Sequence, residues 1–201
     1  MTDHYYTEKP TSEIRECRFD WRIAGNTLSL VSVSGVFGFG SRVDRASELL
    51  ISNFKPSGAH PSVLDVGCGY GPISLFIKAR YPHLDVTAVD INERAVEYTA
   101  KNADFNNLYV RVLKSDLYSE LEGRTFGDIV SNPPIAAGKA VTFRLIQEAL
   151  HRLCPGGALQ IVAYHNKGGE TLKKMMRETF GNAEDVVKSG GIRVYRSVKT
   201  S

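Results

Sequence analysis

From residue 61 onward the chain alternates apolar strands with helices, and this alternation constrains the fold more than any other feature. Stretches 62–66, 85–90, 109–113, 128–131 and 158–164 read as short apolar strands bounded by turn residues. Between and after them, 72–79, 92–102, 141–153 and 169–180 read as helices. Pro72 stands near the first turn of its helix, where a missing N–H costs little. Two late stretches, 183–188 and 192–198, flank Ser189-Gly190-Gly191 and read as a hairpin. Alternation with apolar strands calls for a parallel sheet covered by helices on both faces. Right-handed crossovers then bring every strand's C-terminal tip to one edge. Ligands bind at such an edge, near the point where strand order reverses.

The front of the chain lacks this rhythm. Residues 21–23 and 27–30 flank Gly25-Asn26, a hairpin signal. Three glycines and two phenylalanines between Gly35 and Ser41 suggest a loop with close backbone approaches. Residues 44–54 read as a helix, closed by Lys55-Pro56-Ser57-Gly58. The expected division is an extension over 1–58 packed on a core over 59–201. A length of 201 residues suits one domain with a small appendage. Apolar content of 42% and a net charge of +3 fit a soluble protein that tolerates a polyanionic partner without requiring one. Cys17, Cys68 and Cys154 are odd in number and widely spaced, which argues against a disulfide framework or a zinc site. No metal is expected. The absence of a leader-like start or a bilayer-length apolar run points to a cytoplasmic protein with no membrane partner.

Four strand tips carry candidate chemistry. The first is Asp65-Val66-Gly67-Cys68-Gly69-Tyr70-Gly71. Its glycines are spaced G-x-G-x-G rather than the G-x-G-x-x-G of dinucleotide sites, and they let backbone approach a ligand closely. A carboxylate beside the loop would repel a pyrophosphate and attract an amine or sulfonium, which favours S-adenosylmethionine over a dinucleotide. The second tip, Asp90, suits two ribose hydroxyls. It could equally cap the next helix, unless Asn92 does so. The third, Ser115-Asp116-Leu117, could meet an amino group and a ring face, or be a surface turn.

The fourth tip is Asn132-Pro133-Pro134-Ile135. Two prolines end the strand because neither donates to a ladder and each holds its predecessor extended. An amide side chain and main-chain carbonyls remain, an acceptor-rich pocket suited to a group bearing two N–H donors. Asn132 Oδ1 and the Pro133 carbonyl are the expected acceptors for such a group, an exocyclic amine or a carboxamide, turning its lone pair toward an electrophile. Catalysis is then positioning and electrostatic preorganisation.

D-V-G-C-G-Y-G, V-D-I-N, S-D-L and N-P-P-I, in this order, resemble the class I S-adenosylmethionine-dependent methyltransferases. With Gly35-Val36-Phe37, Asp44 and Leu49-Leu50 ahead of them, the chain more closely resembles the small methyltransferase-domain family, which includes ribosomal RNA guanine-N2 methyltransferases of the RsmC type. His4-Tyr5-Tyr6 with Glu8-Lys9-Pro10 is similar to the start of archaeal stand-alone members. The resemblance implies an α/β, Rossmann-like, doubly wound seven-stranded sheet, mostly parallel, with an antiparallel C-terminal strand. It implies cofactor contacts from Asp65, Gly67, Cys68, Gly69 and Gly71, from Asp90, Ile91 and Asn92, and from Asp116, Leu117 and Asn132. Asn132, Pro133 and Pro134 take the catalytic positions.

Ile135 departs from the aromatic residue that many such enzymes carry after the prolines, since isoleucine cannot stack as a π-system. Phe37, Phe39 or Tyr164 could supply an aromatic wall instead. Phe37, Arg42, Ile135 and Lys139 are the expected substrate contacts. Arg45 and Arg144 also flank the pocket, and Lys167, Lys173, Lys174 and Arg177 lie further on, although charge runs are usually solvated faces. The implied partner is RNA, ribosomal by the resemblance, with the chain a monomer or weak dimer. Two other readings remain at this point: methylation of a protein glutamine carboxamide, and a cofactor-binding partner subunit without catalysis.

Overall fold

The computed structural model describes residues 8–134 and 138–200. Strands β1 (Glu16–Ile23) and β2 (Asn26–Val33) form an antiparallel hairpin, followed by helix α1 (Arg45–Asn53). The core continues through β3 (Ser62–Val66), α2 (Pro72–Arg80), β4 (Asp85–Asp90), α3 (Glu93–Phe105), β5 (Arg111–Lys114) and β6 (Phe126–Ser131). It ends with α4 (Lys139–Arg152), β7 (Leu153–Tyr164), α5 (Gly169–Phe180), β8 (Glu184–Ser189) and β9 (Ile192–Val198). The sheet order is β5-β4-β3-β6-β7-β9-β8, with β9 antiparallel to both neighbours. This is the Rossmann-like sheet expected from the alternation. The chain steps outward from β3 to β5, then returns to β6 on the other side of β3. That reversal opens a crevice between the tips of β3 and β6.

Side chains of successive strand residues face opposite ways. Val63, Val130 and Val162 join α1, α2, α3 and the hairpin in one apolar cluster, while Leu64, Ile129 and Ile161 join α4 and α5 in the other. Each fully buried large aliphatic side chain in these clusters stabilises the fold by roughly 1.5–3 kcal/mol. The hairpin residues Leu28 and Leu30 belong to the first cluster, so the front of the chain completes the covering of that face.

Several boundaries differ from the sequence reading. The hairpin turn is Ala24-Gly25, with φ of 48° and 86°, and Asn26 already pairs with Ile23. Both central residues of this two-residue turn are left-handed, as a type I′ turn requires, a geometry that alanine seldom signals. The third core strand starts at Arg111, not 109, because it is an edge strand whose only partner, β4, pairs residues 111–114; Tyr109 is 78% exposed. Strands β6 and β7 begin earlier than expected because Phe126 pairs with Leu153 at their near ends.

Polar residues of α3 fasten the hairpin. Asn102 and Asn106, one helical turn apart, face alternate residues of β2. Asn102 accepts from Val31 N at 2.8 Å and donates to Val31 O at 3.0 Å; Asn106 does the same with Ser29 at 3.0 and 2.8 Å. The two carboxamides stand in for a neighbouring strand along an otherwise open edge. Arg94, buried at the start of α3, donates to the carbonyls of Pro10, Ser12 and Ser34 and holds the entering segment against the hairpin.

Candidate active site

A cavity of about 260 Å³ lies at the tips of β3, β4 and β6. Ser131 Oγ donates to Val66 O at 2.7 Å and locks the last residue of β6 beside the last residue of β3. Asn132 and Gly67 therefore leave the sheet side by side, and both line the cavity. The third wall, Val36, Phe37, Asp44 and Ser47, comes from the front of the chain.

The glycine loop is bound to β4 by its own backbone. Gly67 N and Cys68 N donate to Val89 O at 2.9 and 3.0 Å, Gly69 N donates to Asp90 Oδ2 at 2.9 Å, and Gly71 N donates to Cys68 O at 3.0 Å. A phosphate cradle needs such N–H groups free and converging; here they are spent on carbonyls and a carboxylate. Gly67, Gly69 and Gly71 have φ of 76°, 61° and 94°. At Gly71 a Cβ would also come within 3.0 Å of Thr99 Cγ2. Gly71 thus serves packing and stands outside the cavity lining, while Gly67, Cys68 and Gly69 form part of it.

The cavity wall is acidic. Asp44, Asp90 and Asp116 line it, and no lysine or arginine does so among the described residues. Asp90 accepts from Gly69 N with one oxygen and from Asn92 N with the other, each at 2.9 Å. Burial nevertheless pushes its pKa up to about 6. Ile91, next to it, lines the cavity. Asn92 does not: its Oδ1 caps α3 by accepting from Arg94 N and Ala95 N, and its Nδ2 donates to Gly35 O at 2.9 Å. Asp116 and Leu117 both reach the cavity; Leu117 has a left-handed φ of 53°, and Asp116 is ion-paired to Arg144 at 3.2 Å.

Asp65 sits deeper than a strand tip. It is fully buried within β3, outside the cavity lining, and its Oδ2 accepts from Ser74 N at 3.1 Å. Its Oδ1 has no hydrogen-bond partner among the described residues. Burial pushes its pKa up to about 7, and the neighbouring Asp90 carboxylate adds to the shift. A fully buried carboxylate with an unsatisfied oxygen, Asp65, behind the half-buried Asp90 of the wall makes this end of the cavity favour a cationic group. That fits a sulfonium or an ammonium and does not fit a pyrophosphate.

Asn132 lies between this acidic end and α1. Its Nδ2 donates to Asp44 Oδ1 at 3.3 Å and to Ser47 Oγ at 3.1 Å. The edge of the carboxamide left for a ligand is its oxygen. Pro133 and Pro134 follow it in the wall. Ile135 and the opening His4-Tyr5-Tyr6 lie outside the described residues. Phe37 lines the cavity and is 43% exposed. Phe39 and Tyr164 do not line it; Arg15 lies over the first and Lys167 over the second.

The basic candidates separate into two groups. Arg144 is held by Asp116 and Glu148, Lys173 by Asp185, and Lys174 by Glu178. Arg45 packs over the β8–β9 turn at Gly190. Arg42 and Lys139 are exposed outside the lining, without ion pairs among the described residues. Among the described residues no group of three or more His, Cys, Asp or Glu side chains could hold a metal ion, and no helix is long and apolar enough to cross a membrane.

Sequence reading gave no site role to Asp44, Ser47 or Tyr70. Asp44 reads as the first residue of the helix over 44–54, and Tyr70 hides inside the glycine motif. Tyr70 is almost fully buried in the cavity wall, and its hydroxyl has no partner among the described residues. Burial, with the Asp44 charge, pushes its pKa up.

The methyltransferase small domain model matches residues 27–196, most of the chain. The chain belongs to that methyltransferase family. Bacillus subtilis YbxB, an uncharacterized protein, is 34% identical over 201 residues, covering 99% of this chain and 100% of the relative. Ribosomal RNA small subunit methyltransferase C of Salmonella gallinarum is 34% identical over 197 residues, covering 96% of this chain and 55% of that protein. Among solved structures, the T. thermophilus 16S rRNA N2 methyltransferase RsmC, in complex with AdoMet and guanosine, superposes with a TM-score of 0.79 at 28% identity. That match covers 94% of this chain and 52% of the other. The small-domain chain therefore spans about half the length of these named rRNA methyltransferases and the whole of the Bacillus relative.

Proposed function

We propose that this chain uses S-adenosylmethionine to methylate an exocyclic amine of a base in ribosomal RNA, with guanine N2 as the target. The observation that carries the reading is the meeting of Asn132 with an acidic, phosphate-averse cavity at one sheet edge. The relatives named as rRNA methyltransferases, and the guanosine in the T. thermophilus complex, support the choice of substrate.

The cofactor supplies a methyl group on a positively charged sulfur, a strong electrophile. The residues of the chain bind and orient. Asp90, at the tip of β4, is the carboxylate placed for ribose hydroxyls, and Asp116 with Leu117 forms the wall for the adenine. Asp65, buried behind the loop with a pKa raised to about 7, is drawn toward its ionised form by the cationic end of the ligand and so favours that end. Asn132 Oδ1 and the Pro133 carbonyl accept the two N–H bonds of the target amine. Its lone pair, otherwise delocalised into the base, is turned toward the methyl carbon. With the cofactor bound, the N–C bond would form as the methyl–sulfur bond broke, the electron pair staying on sulfur, and the proton on the alkylated nitrogen would pass to water. The acceptors stabilise positive charge as it grows on that nitrogen.

The test is direct. The purified chain is incubated with methyl-labelled S-adenosylmethionine and either total RNA or ribosomal subunits, and the RNA is digested to nucleosides. Label in N2-methylguanosine is expected. Label in the protein fraction alone, or none in either, would overturn the reading.

A further inference from the structure

The carboxamide of Asn132 is planar, with one acceptor and a two-hydrogen donor that exchange places on a half-turn of its last bond. Both orientations fill the same space. The function proposed above works in only one of them, with Oδ1 toward the cavity. The groups behind the side chain decide which is held. Ser47 Oγ, 3.1 Å from Nδ2, can donate or accept and so favours neither. Asp44 Oδ1, 3.3 Å from Nδ2, is different. An ionised carboxylate only accepts, and turning the amide would set oxygen against oxygen.

We propose that Asp44 is a positioning residue, fixing Asn132 with its oxygen facing the substrate amine, while Ser47 receives the second N–H. The inference rests on the function proposed above and adds a residue to it. Asp44 has a further effect on the acceptor. A carboxylate bonded to the NH2 group polarises the amide and makes Oδ1 a stronger acceptor for a nitrogen gaining positive charge. The same Asp44 oxygen caps α1, accepting from Ala46 N at 3.0 Å and Ser47 N at 3.1 Å. The helix that presents Ser47 is therefore anchored by the residue that orients Asn132. Because α1 and the loop before it carry both partners, the acceptor is complete only when the front of the chain is docked.

The two jobs of Asp44 can be separated. Serine caps a helix about as well as aspartate, but it places no carboxylate beside Asn132. Asp44→Ser should lower kcat by roughly tenfold to a hundredfold, the scale of a misaligned catalytic group. Its melting temperature and cofactor affinity should stay near those of the parent. Asp44→Asn keeps the cap and an oxygen acceptor without the charge, and its kcat should fall between the two. A second readout needs no turnover. In the 15N-labelled protein, the side-chain amide protons of Asn132, assigned by their loss in Asn132→Ala, should be protected and shifted downfield. In Asp44→Ser they should move toward solvent-exposed values. An unchanged kcat in Asp44→Ser would overturn the proposal. So would a loss spread equally over kcat, cofactor affinity and melting temperature, or Asn132 amide signals that ignore Asp44. If the parent protein leaves RNA unlabelled, the function fails while the amide signals still report on the contact.

Discussion

Replacing Asn132 with alanine removes one acceptor from a wall that the rest of the cavity leaves intact. Turnover should fall by roughly a hundredfold to a thousandfold, the cost of deleting one preorganised group at a developing charge. Cofactor affinity, measured by calorimetry, should change little. Asp65 and Asp90 make a separate prediction. Both carboxyls have pKa values raised by burial, to about 7 and about 6 from an ordinary 3.8. Between about pH 4 and 7 the folded chain then holds more protons than the unfolded one, so these groups lose stability as pH rises through that window. The melting temperature of the ligand-free protein should climb when pH is lowered from 7.5 to 5.5, and Asp65→Asn should flatten the trend. A cationic ligand favours the ionised carboxyls, so cofactor affinity should move the other way and weaken on acidification. The sequence made Asp90, Asp116 and Asn132 legible because each stands where a strand stops. Asp65 was legible as part of the motif but not its depth, because its burial comes from α2 packing over it, where Ser74 N donates to its Oδ2. Asn92 follows the tip of β4 and spends its oxygen on the cap the sequence offered as an alternative, while its amide nitrogen is taken by Gly35 O, a partner the sequence does not show.

At the scale of the elements, the glycine loop shows how tightly a turn can be specified. Gly71 combines a φ of 94° with contact between its Cβ position and the Thr99 and Leu75 side chains. Gly71→Ala must pay for both, about 1–3 kcal/mol, and denaturant unfolding should register that loss. Periodicity made the core strands and helices readable because each apolar face meets one of two clusters. The ends were less readable. An edge strand such as β5 is only as long as its single partner allows, and no residue inside it records that length. The Ala24-Gly25 turn was misplaced by one residue because its first member is forced left-handed by the register of β1 and β2, not by its own preference.

At the scale of the whole molecule, RNA binding is expected to be electrostatic and to weaken steeply with salt. Arg42 and Lys139 are exposed cations, each two residues from a cavity-lining residue (Asp44 and Val141), whose charges are not already paired among the described residues. The double charge reversal Arg42→Glu, Lys139→Glu should weaken RNA affinity and lower the slope of log affinity against log salt by about two. Cofactor affinity should not move. The docking of the hairpin was the least legible part of the fold. Arg94 and Asn102 of α3 and its C-cap Asn106 carry no signal of tertiary contact in the sequence, yet they hold backbone groups of residues far earlier in the chain. That separation has a consequence during synthesis. The hairpin emerges from the ribosome before α3, and the carboxamides that close its border lie 71 and 77 residues downstream. For that stretch of translation a finished pair of strands has one side bare, and the nascent chain meets its neighbours in that condition before α3 arrives to cover it.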